Sequence, residues 1–210
     1  MTIWNGLRQG LVGLKYVLLL QRPRALGALG NLSRMEWPRQ LQGRRHIHIG
    51  AATYIKSNGF IGAIAKYAGR QYTPEVRIGD HVYIGRNAYI TCCNRVSIGN
   101  GAVLSEHVYI TDLNHGFDPA AGLIMSQGLE SKGPVAVGEN CFLGYRVAVM
   151  PGVTLGDWCI VGANSVVTHS FPAYSMIAGV PARLIRVYRS EERRWVSASD
   201  LNLATLEESF

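Results

Sequence analysis

Six histidines stand in the chain, and His115 is the one placed for chemistry. It ends the run Asp112-Leu-Asn-His115, and a segment of irregular composition, 116–134 (GFDPAAGLIMSQGLESKGP), starts directly after it. A loop of that length in a compact protein is usually functional. Imidazole titrates near neutrality, so it is the default base for drawing the proton from a poor nucleophile such as a hydroxyl. Asp112 is a candidate to orient that ring or to touch an acceptor. As an aspartate near a turn it equally suits capping of local backbone. No serine or cysteine is evidently paired with a base, so a covalent enzyme intermediate is not expected. At the other end, Gly179-Val-Pro-Ala-Arg-Leu-Ile-Arg186 carries two arginines, Arg183 and Arg186, which on residue type alone form a solvated basic patch.

These groups must be held by a fold, and composition narrows which. The chain has 210 residues, enough for one domain with short appendages. At 48% hydrophobic and 17% charged it can bury a sizeable core. Residues 1–45 hold eight basic side chains against one acid, Glu36, so the whole formal charge of +7 lies there and the body is balanced. A nucleic-acid protein would spread a basic stripe over a folded face, and none is legible. The longest apolar stretch, Leu11 to Leu20, contains Lys15 and falls short of the ~20 residues a bilayer needs. Neither a membrane span nor a signal peptide is expected. Four cysteines, two of them adjacent (Cys92, Cys93), do not suit a secreted disulfide framework and point to reduced thiols in the cytoplasm.

Glycine, at 24 of 210 residues, exceeds the usual ~7%. The excess belongs to a repeat. An aliphatic residue recurs every six positions at Ile78, Ile84 and Ile90, then after a two-residue slip at Ile98, Leu104 and Ile110. Beyond the 116–134 loop the count resumes at Val137, Leu143, Val149, Leu155, Val161 and Val167. Glycine often follows the aliphatic residue, and a small side chain (Val82, Ala88, Ala102, Cys141, Cys159, Ser165) lies four places after it. A period of six fits neither an α-helix nor a hairpin meander. It fits a parallel β-helix, each hexapeptide being one short strand plus a corner. Glycine would serve the corner, through unusual φ/ψ or close backbone approach. These twelve rungs make about four coils, with Ile49 and Ile55 adding a partial one. Cys141 and Cys159, one coil apart, are expected as inward filler. His81 and His107 fall on different faces, so a three-histidine metal site is not expected. Segment 56–75 breaks the register and carries no assigned role.

The expected organisation is a basic, partly helical segment over 1–45, a coil over 46–185 with the protruding loop 116–134, and a C-terminal helix or tail over 186–210. Leu7, Leu11, Leu14 and Leu18 recur at helical spacing. That helix would pack over the end of the coil, and residues 1–35 would also suit peripheral contact with anionic lipid at the inner face of the cell membrane.

As a set, the hexapeptide run, Ile110-Thr-Asp-Leu-Asn-His115-Gly, Val137-Gly-Glu-Asn-Cys-Phe-Leu-Gly144, Ile160-Val-Gly-Ala-Asn-Ser-Val-Val-Thr168 and Ala178-Gly-Val-Pro-Ala-Arg-Leu-Ile-Arg186 resemble the hexapeptide-repeat O-acetyltransferases. The pattern is nearest the lipopolysaccharide and exopolysaccharide O-acetyltransferases, and more distantly the galactoside and maltose acetyltransferases. The resemblance implies a left-handed coil, a homotrimer with sites between neighbouring coils, and acetyl-CoA as co-substrate with no metal required. It implies His115 as general base. It places Gly144 and Tyr145 at the corner that offers a backbone N–H to the thioester, with Phe142 as an apolar wall. Ala163 and Thr168 would line the pantetheine arm, and Arg183 and Arg186 would lie near the 3′-phosphate. Phe142 stands where the family usually has Trp, Tyr145 where it has a small residue, and His169 where Lys is common. The implied acceptor is a sugar hydroxyl of a surface polysaccharide or its precursor. An N-acyltransferase of an amino-sugar nucleotide, a serine acetyltransferase and a non-catalytic scaffold stay open as alternatives.

Overall fold

The structure, a computed structural model, describes residues 26–36 and 40–200. The candidate amphipathic helix at Leu7–Leu18 lies outside them. The rest of the repeat region winds as three parallel sheets that share one interior. Successive coils stack in register. On the first face Leu29, Ile49, Ile78, Ile98, Val137 and Leu155 stand one above another. The second face carries Met35, Ile55, Ile84, Leu104, Leu143, Val161 and Ile177. The third carries Leu41, Ile61, Ile90, Ile110, Val149 and Val167. Most of these are almost wholly buried, and the small residues four places on fill the space beside them. The architecture is thus all-β, a hexapeptide-repeat β-helix.

The coil begins earlier than residue 46. Strands Ala28–Leu29, Arg34–Met35 and Gln40–Gln42 already form a full turn, which leaves six stacked levels rather than about four. Segment 56–75 is mostly regular too. Ile61, in strand Phe60–Ala63, is an ordinary rung, and only 64–74 leaves the coil. After the last rung the chain adds strands Ser175–Gly179, Ala182–Arg189 and Arg194–Ser197 to the edge of the second sheet, the last two antiparallel. The described part of 186–210 is therefore chiefly hairpin, which covers the open edge of a coil that would otherwise present unpaired backbone.

The corners divide two demands between two positions. Left-handed backbone falls three places after the aliphatic residue, at His81, Asn87, Gly101, His107, Asn140, Arg146, Gly152, Trp158 and Asn164. Asn and Gly suit that region, and the rest are held there by the stack. The glycine directly after the aliphatic residue answers close approach instead: a Cβ on Gly99 would lie 2.6 Å from the Glu139 nitrogen of the next coil. His81 and His107 are corner residues on different edges.

On the outer surface of the coil, Glu36 accepts hydrogen bonds from the Tyr54 hydroxyl, the Lys56 ammonium and the Ser57 N–H. Partial burial pushes its carboxyl up, but Lys56, Tyr54 and Ser57 outweigh that and hold it at about 2. A carboxyl depressed on folding stabilises above its unfolded value of ~4.3, and the contribution is lost as pH falls toward 2. Glu36→Gln should therefore melt below the parent protein at neutral pH. The gap should close on acidification between about pH 4 and 2, as thermal scans at a series of pH values would read.

Candidate active site

Two insertions leave the coil at the same edge, where the third sheet turns toward the first. One is a short hairpin of strands Lys66–Tyr67 and Arg70–Gln71. Its two turn residues, Ala68 and Gly69, both have positive φ, as a tight two-residue hairpin turn requires. The other is a long hairpin of strands Leu113–His115 and Leu129–Ser131, whose tip holds two 3-10 turns. Within the tip the Gln127 amide donates to the carbonyls of Asp118 and Gly122, so the loop is folded on itself. Leu113 to His115 continue directly from the third-sheet strand Tyr109–Thr111, which explains why a regular rung delivers His115 to the lip.

His115 is half-buried, and its ring meets Tyr67 of the short hairpin edge to face at 5.2 Å between centroids. Its Nδ1 is covered and, among the described residues, is the buried side-chain polar atom left without a hydrogen bond. Buried polar groups are rarely orphaned, and those that are tend to mark a role or an absent partner. His115 pairs with Leu129 across the hairpin, so the two side chains share a face. Leu129 in turn lines a space of about 340 Å³ with Gln71, Tyr72, Thr73, Cys93, Asn94 and Ser131. Its walls are more apolar than polar and carry no charged side chain, with the Gln71 and Asn94 amides and the Thr73 and Ser131 hydroxyls among them.

Asp112 does not reach the imidazole. Its wholly buried carboxylate accepts from the backbone N–H groups of Cys93 (2.9 Å), Asn94 (2.9 Å) and Arg95 (2.6 Å). Those residues form the corner where the two-residue slip lengthens the coil, and the carboxylate supplies acceptors that the longer corner lacks. Burial pushes the Asp112 carboxyl up, against the downward pull of its three backbone donors. Burial, with the same carboxylate nearby, also pushes the Cys92 and Cys93 thiols up to about 12 and about 11. Neither is primed as a nucleophile. Cys141 and Cys159 are inward filler, their thiols donating to the carbonyls of Gly156 and Pro172.

The remaining candidates gather mostly elsewhere. Phe142, Ile160, Met176 and Arg186 stand in one cross-strand row on the outer second face. Arg183 and Arg186 are exposed, and neither has a carboxylate partner among the described residues. Gly144, Tyr145 and Ala163 share the edge between the second and third sheets. The Gly144 N–H is spent on the Val161 carbonyl (2.9 Å), so the N–H expected at this corner is not that of Gly144. Open donors at that corner, among the described residues, are the N–H groups of Tyr145 and Ala163. A Cβ on Gly144 would lie 2.8 Å from the Ala163 nitrogen, so glycine leaves that amide uncovered. Tyr145, exposed, packs its ring edge to face with His107. Thr168 lies at the opposite edge from Ala163, beyond strand Val166–Val167 and beside His169. One chain therefore does not line a single arm with both. His115 and the Gly144 corner likewise leave the third sheet at opposite edges.

Comparison with known proteins adds to this geometry. Residues 75–112 and 134–169 match the sequence model described as hexapeptide repeat of succinyl-transferase. The chain carries the hexapeptide repeat. Among curated relatives of this hexapeptide chain is WbbJ of Escherichia coli, whose name provisionally assigns it to lipopolysaccharide biosynthesis as an O-acetyl transferase. It is 35% identical over 125 residues, 57% of this chain and 64% of the relative. The galactoside O-acetyltransferase of Escherichia coli is 31% identical over 123 residues, 56% of this chain and 59% of the relative. The chain thus spans less than two thirds of either relative's length. Among solved structures, the N-acyltransferase AntD of Bacillus cereus, in complex with dTDP and coenzyme A, superposes with a TM-score of 0.67 at 16% identity, covering 83% of this chain and 90% of that one. A hexapeptide-repeat acetyltransferase of Vibrio cholerae complexed with acetyl coenzyme A superposes with a TM-score of 0.54 at 22% identity, over 84% and 79%. Those two share the fold.

Proposed function

We propose that this chain is an acetyl-CoA-dependent O-acetyltransferase that acts on a sugar hydroxyl of a surface polysaccharide or its precursor. The observation that carries the reading is the half-buried His115 ring, with its partnerless Nδ1, at the meeting of two insertions on a hexapeptide coil whose curated relatives are named as O-acetyltransferases. In the reaction, the imidazole takes the proton of the acceptor hydroxyl as its oxygen attacks the thioester carbonyl carbon. The tetrahedral oxyanion is stabilised by backbone donors, a role assigned to the Tyr145 and Ala163 amides because, among the described residues, neither is spent on the coil's own ladder. The C–S bond then breaks, and the imidazolium returns its proton to the coenzyme A thiolate. Phe142 walls the cofactor path, Thr168 meets the pantetheine arm, and the exposed Arg183 and Arg186 take its 3′-phosphate. Asp112 acts behind this machinery, on the corner beneath it.

His115 and the Tyr145–Ala163 corner lie on opposite edges of one sheet. A neighbouring coil must therefore bring the second half of each site, which supports the trimer with sites between subunits. Ala163 and Thr168 then line the arm from two different chains. The coil is taken as left-handed, the setting as the cytoplasm, and residues 1–35 as a peripheral contact to the membrane. Among the described residues, no helix is long and apolar enough to cross one.

The test is thiol release from acetyl-CoA, followed with a thiol reagent, in the presence and absence of methyl galactoside, lipopolysaccharide fragments, an amino-sugar nucleotide and free serine. Stimulation by the sugar hydroxyls supports the reading. Stimulation by the amino sugar or by serine alone replaces it with the N-acyl or serine chemistry, and silence with every acceptor favours a scaffold.

A further inference from the structure

We infer that the short hairpin 64–74 is the device that orients His115, with Tyr67 as its positioning residue; the catalytic meaning of this rests on the reading of His115 as base. A general base on a surface hairpin needs something to hold its ring, and the obvious partner is absent. Asp112 is consumed by three backbone donors of the coil beneath, and Nδ1 has no hydrogen bond. What touches the ring is the aromatic face or edge of Tyr67.

Tyr67 does more than lean on the imidazole. Its hydroxyl donates to the Met125 carbonyl (3.1 Å) in the tip of the long hairpin. Five residues on, the Tyr72 hydroxyl accepts from the Leu129 N–H (2.6 Å) and donates to the Leu129 carbonyl (3.3 Å). Leu129 is the residue facing His115, and the pair leaves its backbone groups turned outward, where Tyr72 meets them. The next contact is backbone-close as well: a Cβ on Gly128 would lie 2.5 Å from the Arg70 side chain. So one tight hairpin, two coils away in sequence order, grips the long loop at residues 125 and 128–129 and seats its own ring on the base between them. The tight turn at Ala68-Gly69 and the Tyr72 N–H bond to the Ala65 carbonyl (2.9 Å) make that grip stiff. A base held by packing rather than by a hydrogen bond depends on every element of the clamp, because small misplacements of a reacting group cost up to about a hundredfold in rate.

The test compares Tyr67→Ala, Tyr67→Phe and Tyr72→Phe with the parent chain. Carbethoxylation of each histidine by diethyl pyrocarbonate, read by mass spectrometry, reports how well the ring is shielded without needing an acceptor. Tyr67→Ala is expected to speed modification of His115 several-fold while His48, His81, His107 and His169 keep their rates, and Tyr67→Phe to restore the parent rate. Hydrogen exchange across 116–131 is expected to quicken in all three variants, since each loses a tie to that loop. With whichever acceptor stimulates thiol release, Tyr67→Ala should lower kcat by about ten- to a hundredfold at an unchanged KM for acetyl-CoA. Unchanged His115 modification and unchanged loop exchange in Tyr67→Ala would overturn the inference. That outcome is separate from loss of the base assignment itself, which depends on the His115 variant and not on these.

Discussion

Alanine in place of His115 should reduce acceptor-stimulated thiol release by about 10²–10⁴-fold, the range that one positioned acid–base group contributes. It should do so in a protein that melts no lower than the parent. Both halves follow from the same observation. Nδ1 is covered and bonded to nothing among the described residues, so deleting the ring strands no donor or acceptor. A buried polar atom without a partner is a cost to the folded state, and its removal offsets the packing lost against Tyr67. His115→Ala therefore separates catalysis from stability more cleanly than most active-site changes would. His115→Asn keeps a polar group of similar reach but no base near neutrality, and it should be as inactive as the alanine form. Thiol-release kinetics and thermal melts on the same samples decide the matter. A variant that retains more than about a tenth of parental turnover would remove the base assignment, and a variant that is dead but unfolded would decide nothing about chemistry until its melting is restored by lower temperature.

The parts of this molecule that the sequence displays are those that repeat. Ile78 through Val167 announce the coil because each rung solves the same packing problem six residues apart. The first coil is hard to read because none of its inward residues Leu29, Met35 and Leu41 is β-branched, only Leu29 is followed by glycine, and they lie in a segment rich in basic side chains. Ile61 was hidden by its neighbours: the hairpin inserted directly after its strand breaks the count before the period can be recognised. The assignment of glycine to the corner was right about close approach and misplaced about dihedral angle, since the left-handed residue sits two positions later and is seldom glycine. For the site, His115 could be read from its place at the end of the last rung before a long loop. Tyr67 and Tyr72 could not, because one aromatic residue in a short irregular stretch has no period, and its meaning comes from a loop nearly sixty positions away. The Gly144 corner illustrates the opposite limit. Its position was legible, yet which of its amides is free depends on the backbone ladder of the following coil.

Asp112 is the case where sequence proximity misleads most, and its substitution is expected to have the second large effect, on folding. Removing its carboxylate in Asp112→Ala leaves the Cys93, Asn94 and Arg95 N–H groups without their acceptor. Cys93 is buried, whereas Asn94 and Arg95 reach solvent and recover part of the loss from water. One fully stranded donor plus two partly wetted ones gives a cost of about 3 kcal/mol, or roughly 6–12 °C in melting temperature for a chain of this size. Asp112→Asn should do no better, because its amide turns one N–H toward another where the native group offers only oxygen. The pH dependence has a definite sign. Burial raises the folded-state pKa of this acid, so the native carboxylate penalises folding progressively as pH rises through that raised value, and the penalty is absent below the ordinary carboxylate range. The alanine variant lacks that slope. If Asp112 instead steered the imidazole, Asp112→Asn would melt like the parent and lose turnover at every temperature. Circular dichroism melts at a series of pH values, set beside thiol-release rates measured well below the variant's midpoint, distinguish the two. Turnover that survives at low temperature while the midpoint drops assigns this carboxylate to the corner of the coil and leaves the ring of His115 to the hairpin that packs against it.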